Sequence, residues 1–397
     1  MRVFALGAGI CSSCAALDLA DDLVSPDVKV ITLADVSEER LDELSRKAKL
    51  LTTSKEIRVV KVDASDEDSL VEVLRGHDVV INGAPYYYIM NVMRAALEAG
   101  VNYLDLGSDV ETVEMQKKYD PEFRRKGLLA IAGMGGSPGI INILAKKAVL
   151  ELDKVERILL REGWIDLTDY EALGIELPVP YSFDTIVDEL SDPVEVWTAE
   201  GVIRVEAFSG EEVFRFPDPV GEQYCYYVEH PEVYTLGEYF KSKGVKFVDY
   251  KLSFPKELLS KYKLLKYIGL CSEEKVLYKG REVSLRDLVR ERVLEHMKKL
   301  KSVPNDYDII IARAEGYRGD YRTAVEVSAQ TRSSRTWGVS AQAMMVGVPA
   351  SVAAQMICEG VEVAGVKNPE EVFEPDPFLK RVVRRGVRVR LLVSRDI

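Results

Sequence analysis

Met1-Arg2-Val3-Phe4-Ala5-Leu6-Gly7-Ala8-Gly9 runs directly into Ile10-Cys11-Ser12-Ser13-Cys14-Ala15-Ala16-Leu17, and an apolar strand from Val28 to Ala34 then closes on Asp35. The residues read as a strand, a tight glycine turn, a helix and a second strand ended by an acid. Gly7 permits the sharp turn, and Gly9 has no side chain to hold the backbone away from a pyrophosphate. The new helix offers free N–H groups and a partial positive charge to that anion. Asp35 lies about 26 residues beyond Gly9, placed to accept hydrogen bonds from a ribose diol. A GxG pair alone is weak, but with strands, helix and acid in register it predicts a dinucleotide site. Ser12 stands where the usual fingerprint has its third glycine. Two readings are open for it: a hydroxyl on a phosphate, or a slightly displaced helix with no added function.

A chain of 397 residues predicts two or three domains with ample cores. Its 47% hydrophobic and 30% charged content is that of a soluble globular protein. No apolar run approaches the ~18 residues of a membrane span. The first strand is too short and too glycine-rich for a secretory h-region, so the expected location is cytoplasmic. A net charge of −12 argues against nucleic acid as a partner. In the tail, Lys380-Arg381-Val382-Val383-Arg384-Arg385-Gly386-Val387-Arg388-Val389-Arg390, charges alternate with valines, which reads as a solvated strand face. Five cysteines make no disulfide framework in such a protein. Cys11 and Cys14 form a CxxC, yet no second Cys or His pair completes a metal site, and no metal is expected. On the first turn of the cofactor helix they read as small packing residues, with redox sensing as the alternative.

Strand candidates at 2–7, 28–34, 57–62, 78–82, 102–106 and 128–132 alternate with helical stretches near 12–22, 38–49, 67–75, 87–99, 112–126 and 139–151. This pattern predicts an α/β Rossmann domain over 1–151, a doubly wound parallel sheet of order 3-2-1-4-5-6 with ligands at the carboxyl ends of its strands. The residues after each strand are therefore the candidates. Val36 follows Asp35. Asp63, beside Ala64, suits the adenine amino group or the cap of the next helix. Asn82-Gly83-Ala84-Pro85-Tyr86-Tyr87-Tyr88 reads as a loop beside the nicotinamide, with an aromatic seam between domains as the bland alternative. Asp105-Leu106-Gly107-Ser108-Asp109 sets carboxylates at the crevice. Gly133 to Asn142, containing Ser137-Pro138-Gly139, reads as a second loop of exposed N–H groups able to dock a substrate carboxylate, or as an inter-domain hinge.

Between 152 and 330 the alternation is lost. Strand-like runs near 154–165, 193–199, 201–208, 211–216, 223–228, 247–254, 308–316 and 321–329 predict an α+β domain with a mostly antiparallel sheet and helices on one face. A charged helix at 284–301 reads as exposed. A small-residue helix at 338–359 is expected to pack on the first domain, which the segment 331–397 would complete.

These landmarks resemble the saccharopine dehydrogenase-like family, and within it the lysine 6-dehydrogenase branch. The matching segments are Gly7-Ala8-Gly9 with Ala34-Asp35-Val36, Lys61-Val62-Asp63-Ala64, Gly76 to Asn82, Val101 to Gly107, Gly136 to Ala145, Pro180-Tyr181-Ser182-Phe183, and Gly347 to Ile357 before Gly365-Val366. The resemblance spans nearly the whole chain. It implies oxidation of a C–N bond by a nicotinamide cofactor, or the reverse reductive amination, on lysine, saccharopine or a carboxylated polyamine. Relatives acting on lysine usually show a Trp/Tyr-Pro-Gly-His element; this chain has Lys266-Tyr267-Ile268-Gly269-Leu270-Cys271, without that proline or histidine.

Only three histidines exist. His77 precedes a strand, His296 sits on the charged helix, and His230, in Glu229-His230-Pro231-Glu232, is the catalytic candidate. By loop position, Lys266 is expected to pair with a substrate carboxylate, and Tyr86, Tyr181 or Asp109 to position the amine. The cofactor contacts expected are Gly7, Gly9, Ile10, Ser12, Asp35 and Val36, then Asp63, Ala64, Asn82, Ala84 and Gly107. Tyr87, Ser137, Pro138, Gly139, Asn142 and Tyr181 are expected at the substrate. Asp35 favours NAD, since a carboxylate repels a 2′-phosphate, while Arg40 leaves NADP open. The resulting expectation is an NAD(P)-dependent dehydrogenase on an amino acid or amine. Saccharopine or carboxynorspermidine reduction is one alternative, and a non-catalytic NAD-binding sensor or docking protein is another. A homodimer is expected, because the apolar second sheet needs cover.

Overall fold

A computed structural model describes residues 1–190 and 193–395. The first part alternates β1 (Arg2–Leu6), α1 (Ile10–Ala20), β2 (Val30–Asp35), α2 (Glu38–Leu50), β3 (Glu56–Lys61), α3 (Glu67–Leu74) and β4 (Val79–Asn82). It continues with α4 (Ile89–Ala99), β5 (Asn102–Asp105), α5 (Val110–Lys117), α6 (Asp120–Lys126), β6 (Leu129–Ile131) and α7 (Ile140–Leu150). The strands are parallel in the order β6-β5-β4-β1-β2-β3, as the alternation predicts. Helices cover both faces, so the central strands are apolar throughout: Val3, Phe4, Val79 and Val80 have no exposure. Local chemistry agrees with the fold. Ser37 caps α2 by accepting from the Arg40 amide, with Glu38 and Glu39 in the first turn and Lys47 and Lys49 in the last.

The second part holds β7 (Lys154–Asp166), α8 (Phe183–Glu189), β8 (Val194–Thr198), β9 (Gly201–Val205), β10 (Glu212–Arg215), β11 (Glu222–Tyr227) and α9 (Glu232–Phe240). Then come β12 (Phe247–Ser253), α10 (Lys256–Tyr267), the β13 (Lys275–Tyr278) and β14 (Arg281–Ser284) hairpin, α11 (Leu285–Met297), β15 (Asp306–Arg318) and β16 (Tyr321–Arg332). The chain ends with α12 (Ala341–Glu359), β17 (Gly365–Lys367), α13 (Pro369–Val372), α14 (Pro375–Val383) and β18 (Arg388–Arg395). The second sheet runs β10-β11-β12-β7-β15-β16-β18, with β8 and β9 branching from β12. Within this sheet, only the β12–β7 pairing is parallel among the described strands.

Three helices, α8, α9 and α10, lie where the sequence pattern suggests few. α8 is only seven residues long and α9 opens on β-prone residues (Val233, Tyr234, Thr235), so their periodicity is faint and tertiary packing decides, whereas α10 carries Leu258, Leu259 and Tyr262 at helical spacing. The C-terminal segment is also divided. β17 joins the first sheet beside β6, whereas β18 pairs with β16 in the second. The assignment of all of 331–397 to the first domain is corrected accordingly; residues 396–397 of that range lie outside the described part.

α12 binds the two sheets together. A Cβ on Gly347 would stand 2.6 Å from Cys14 Cβ and 2.7 Å from the Ala15 nitrogen, so only glycine lets α12 approach α1 this closely. By length and apolarity α12 would suffice to cross a bilayer, which corrects the expectation that no run approaches a membrane span; 78% of its most apolar stretch is buried inside the protein. Burial, with the Asp308 charge adding, pushes the Cys11 thiol up to about 12, and burial pushes Cys14 well above its usual value. Protonated thiols are poor nucleophiles, which favours packing over redox sensing for this pair. Asp18 of α1 accepts from Arg385 at 2.6 Å and from Ser351, closing a buried knot between α1, α12 and the tail.

Candidate active site

The crevice forms at the carboxyl ends of β1, β2, β4 and β5. Gly7 has φ +93°, and a Cβ there would lie 2.5 Å from the Gly83 carbonyl oxygen. Gly9 opens α1 without any side-chain cap, and its missing Cβ would meet only Ser12 Oγ at 3.7 Å. A bare helix N-terminus beside an open glycine is the cradle that a pyrophosphate needs. Ile10 and Val36 stand exposed on either side of it. Asp35 accepts from the Ala8 amide at 2.6 Å and from the Ser37 amide at 2.8 Å, tying the turn to the start of α2. Ala84 donates its amide to Asn82, whose own amide group bonds Tyr103 at 3.1 Å. The residues present thus fit a dinucleotide.

Several expected contacts turn out differently. Ser12 is buried against Gly83, where an added Cβ would lie 2.4 Å from Ser12 Cβ, and its hydroxyl donates to the Gly9 carbonyl. Ser12 thus packs closely in the place of a third glycine. Asp63 binds the Ser65 amide and hydroxyl, while Asp66 caps α3; the capping reading of Asp63 is corrected by three residues. Most amides of the loop after β6 are already engaged. The amides of Gly133, Met134, Gly135, Gly139 and Ile140 all have internal acceptors. Pro138 fills the space beside Gly107 and Gly133. Asn142 is buried, accepting from the Gly139 amide and donating to Glu370, so neither it nor Gly139 is free to meet substrate. Ser137 faces a carboxylate, donating to Glu162 at 2.7 Å.

The catalytic candidates also separate. Asp109 caps α5, accepting from the Thr112 amide at 2.7 Å. Lys266 donates to the Leu190 carbonyl at the end of α8 and is not part of the cleft wall. Each is engaged by a helix end in this structure. Tyr86 donates to Asp188 at 3.1 Å, bridging the crevice loop to α8, and Tyr87 is exposed beside it. Tyr181 donates to Glu189.

A cleft of about 640 Å³ runs from Ala8, Gly9 and Ile10 to Glu162, Tyr181 and Asp308 on the second domain. Behind its inner wall lies a cluster that sequence reasoning largely missed. Glu162 accepts from Ser137 and from Tyr250, each at 2.7 Å. The His230 ring stacks on Tyr250. Its Nδ1 lies 3.2 Å from Glu232, off the line of a hydrogen bond and so an ion-pair contact, and its Nε2 lies 4.0 Å from Glu189. Burial alone would lower the imidazole pKa, but the charges of Glu232, Glu189 and Glu162 outweigh it and hold it up to about 9. Burial raises Glu189 to about 7, against the pull of His230 and Tyr181. Burial likewise raises Glu162. One imidazolium among several buried carboxylates is a group able to hold and release protons near neutral pH. Glu162 and Tyr250 escape a sequence reading because each sits mid-strand beside charged residues, Arg161 in one case and Asp249 and Lys251 in the other; only the Glu229-His230-Pro231-Glu232 cluster is visible beforehand.

The chain matches the saccharopine dehydrogenase NADP binding domain over residues 3–131 and the saccharopine dehydrogenase C-terminal domain over residues 135–387. A carboxynorspermidine synthase of Vibrio alginolyticus is 26% identical over 369 residues, covering 88% of this chain and 86% of that protein. A carboxyaminopropylagmatine dehydrogenase of a Synechocystis species is 23% identical over 420 residues, covering 97% and 96%. Among solved structures, apo saccharopine dehydrogenase (L-Glu forming) from Saccharomyces cerevisiae aligns over 99% of both chains with a TM-score of 0.71 at 17% identity.

Proposed function

Given that the chain belongs to the saccharopine dehydrogenase family, we propose that it is an NAD(P)-dependent oxidoreductase acting on the C–N bond of an amine or amino acid. The observation that carries this reading is the cleft itself, which joins the bare glycine turn of α1 to Glu162 and Tyr181 of the second domain. Gly7, Gly9 and Ile10 would hold the pyrophosphate, Asp35 the ribose, and Arg40 a 2′-phosphate if NADP is used. The nicotinamide supplies hydride exchange with the carbon that bears nitrogen. His230 holds a proton behind Tyr250 and Glu162, and Glu232 and Glu189 keep the imidazole charged. Tyr181 fixes Glu189 at the cleft wall. Together these groups exchange the proton that C–N bond formation or hydrolysis requires.

The names of the two relatives favour a carboxylated polyamine or its precursor over lysine. The exposed Leu391, Leu392 and Val393 on edge strand β18 support a homodimer. Five unpaired cysteines suit a reducing, cytoplasmic location. The test is nicotinamide absorbance followed in both directions, with NAD and NADP, over lysine, saccharopine, ornithine and carboxynorspermidine, and over diamines supplied with an aldehyde. Turnover on one of them is expected. Silence in every combination, with cofactor still bound, would instead favour a non-catalytic binding protein.

A further inference from the structure

The register of β7 against β15 sets Asp306 opposite Asp166, Asp308 opposite Trp164 and Ile310 opposite Glu162. Alternate residues share a face, so Glu162, Asp166, Asp306 and Asp308 stand together on one face with Trp164 among them, and all five line the cleft. Like charges directly opposed across a sheet are destabilising. Lysine and arginine do not relieve them: among the described residues, none of the four carboxylates forms an ion pair with either, although the charge of His230 favours ionisation of Glu162. Ser137 and Tyr250 bind Glu162, Thr168 and Tyr170 bind Asp166, and the Ala341 amide binds Asp306. Arg40, Lys47 and Lys301, which line the same cleft, lie on α2 and beyond α11.

Asp308 is the informative member. It is 2% exposed, and its Oδ1 is buried with no hydrogen-bond partner. Burial, with Glu162 and Asp306 adding, pushes its pKa well above the usual value. A buried acid without a partner costs stability and calls for a ligand that completes it. The aromatic surroundings narrow the ligand. Trp164, Tyr170 and Tyr181 line the same wall, and the Trp164 indole is held by the Ser253 carbonyl at 3.1 Å. Carboxylates interleaved with aromatic rings suit an organic cation with a methylene chain, through charge-assisted hydrogen bonds and cation–π contact. Among the described residues no group of His, Cys, Asp or Glu is placed to hold a metal ion.

We propose that this face is an alkylammonium subsite, which takes the distal amine of an aliphatic diamine or polyamine between Asp308 and Glu162, with Trp164 against its methylene chain. The assignment deepens the amine-oxidoreductase reading and rests on it. It also orients the substrate: the distal nitrogen goes to the sheet, and any carboxylate of the substrate is kept away from it by like charge.

Calorimetric titration of the full chain with putrescine, cadaverine and glutarate, each with and without NADPH, tests this. Both diamines are expected to bind and to change Trp164 fluorescence, and glutarate to do neither. Asp308→Asn and Glu162→Gln should each weaken diamine binding about tenfold or more while leaving NADPH affinity unchanged. Diamines that bind no better than glutarate to the unaltered protein would overturn the proposal, as would wild-type diamine affinity in both variants. Diamine binding without turnover of any amine would count against the enzymatic reading alone. Turnover of an amino acid without diamine binding would count against the subsite alone.

Discussion

The imidazole of His230 lies parallel to the phenol of Tyr250, with ring centroids 3.9 Å apart and planes at 28°, and that phenol donates to Glu162 at the cleft wall. The histidine therefore acts on the site through a neighbour. His230→Asn should lower kcat by roughly 10- to 100-fold with little change in KM for cofactor, and should remove the alkaline limb of the pH–rate profile. Tyr250→Phe should reproduce the loss in part. A profile unchanged in shape in both variants would reduce His230 to packing.

Stability should fall as pH rises. The raised pKa of Glu189 and of Glu229, each about 7, means that both carboxyls resist ionisation in the fold; their contribution is present at acid pH and is lost between about pH 4.5 and 7. His230, held at about 9 among Glu162, Glu189, Glu229 and Glu232, contributes fully below pH 6.5 and loses that contribution as pH passes 9. Thermal unfolding followed by circular dichroism should give a higher midpoint at pH 5.5 than at pH 9. The opposite order would contradict these assignments.

Cofactor choice should turn on Asp35. Its carboxylate holds the Ala8 and Ser37 amides, and in the proposed function it takes the ribose. Asp35→Ser should weaken NADH binding about tenfold and shift preference toward NADPH, with Arg40 then unopposed. Fluorescence titration with both reduced cofactors reads the ratio, and equal losses for the two would argue that Asp35 serves the turn alone.

The contact between α1 and α12 should tolerate no added bulk. Gly347→Val brings side-chain atoms onto the α1 backbone at Ala15 and Cys11, which should destabilise the protein by about 1–3 kcal/mol or more. Urea unfolding measures it. A midpoint within error of the parent would mean that α12 can shift freely.

Much of this molecule is legible from its residues. The parallel sheet declares itself because β1, β2 and β4 are short apolar runs punctuated by Gly7, Asp35 and Asn82, and each mark has a backbone reason. The long strands β7 and β15 are equally plain. Less visible is what tertiary contact decides. Nothing local to Lys266 says that its ammonium will meet the end of α8, and nothing local to Asn142 says that Glu370, from the far end of the chain, will take its amide. The acids of β7 and β15 look like a solvated face until pairing register brings Asp166 and Asp306 together. Site residues that depend on register or on chain return stay hidden; those that depend on turns and helix starts do not.

The division of the C-terminal segment has a consequence for synthesis. β17 completes the first sheet and β18 the second, and both lie within residues 365–395. As the chain leaves the ribosome, the nucleotide-binding half emerges first yet lacks its edge strand and the cover of α12 until almost everything else has appeared. Domains that are contiguous in sequence can fold one after another during translation. Here the two halves are interlaced by their last strands, so neither reaches its final form before the other, and an interrupted message would leave both unfinished.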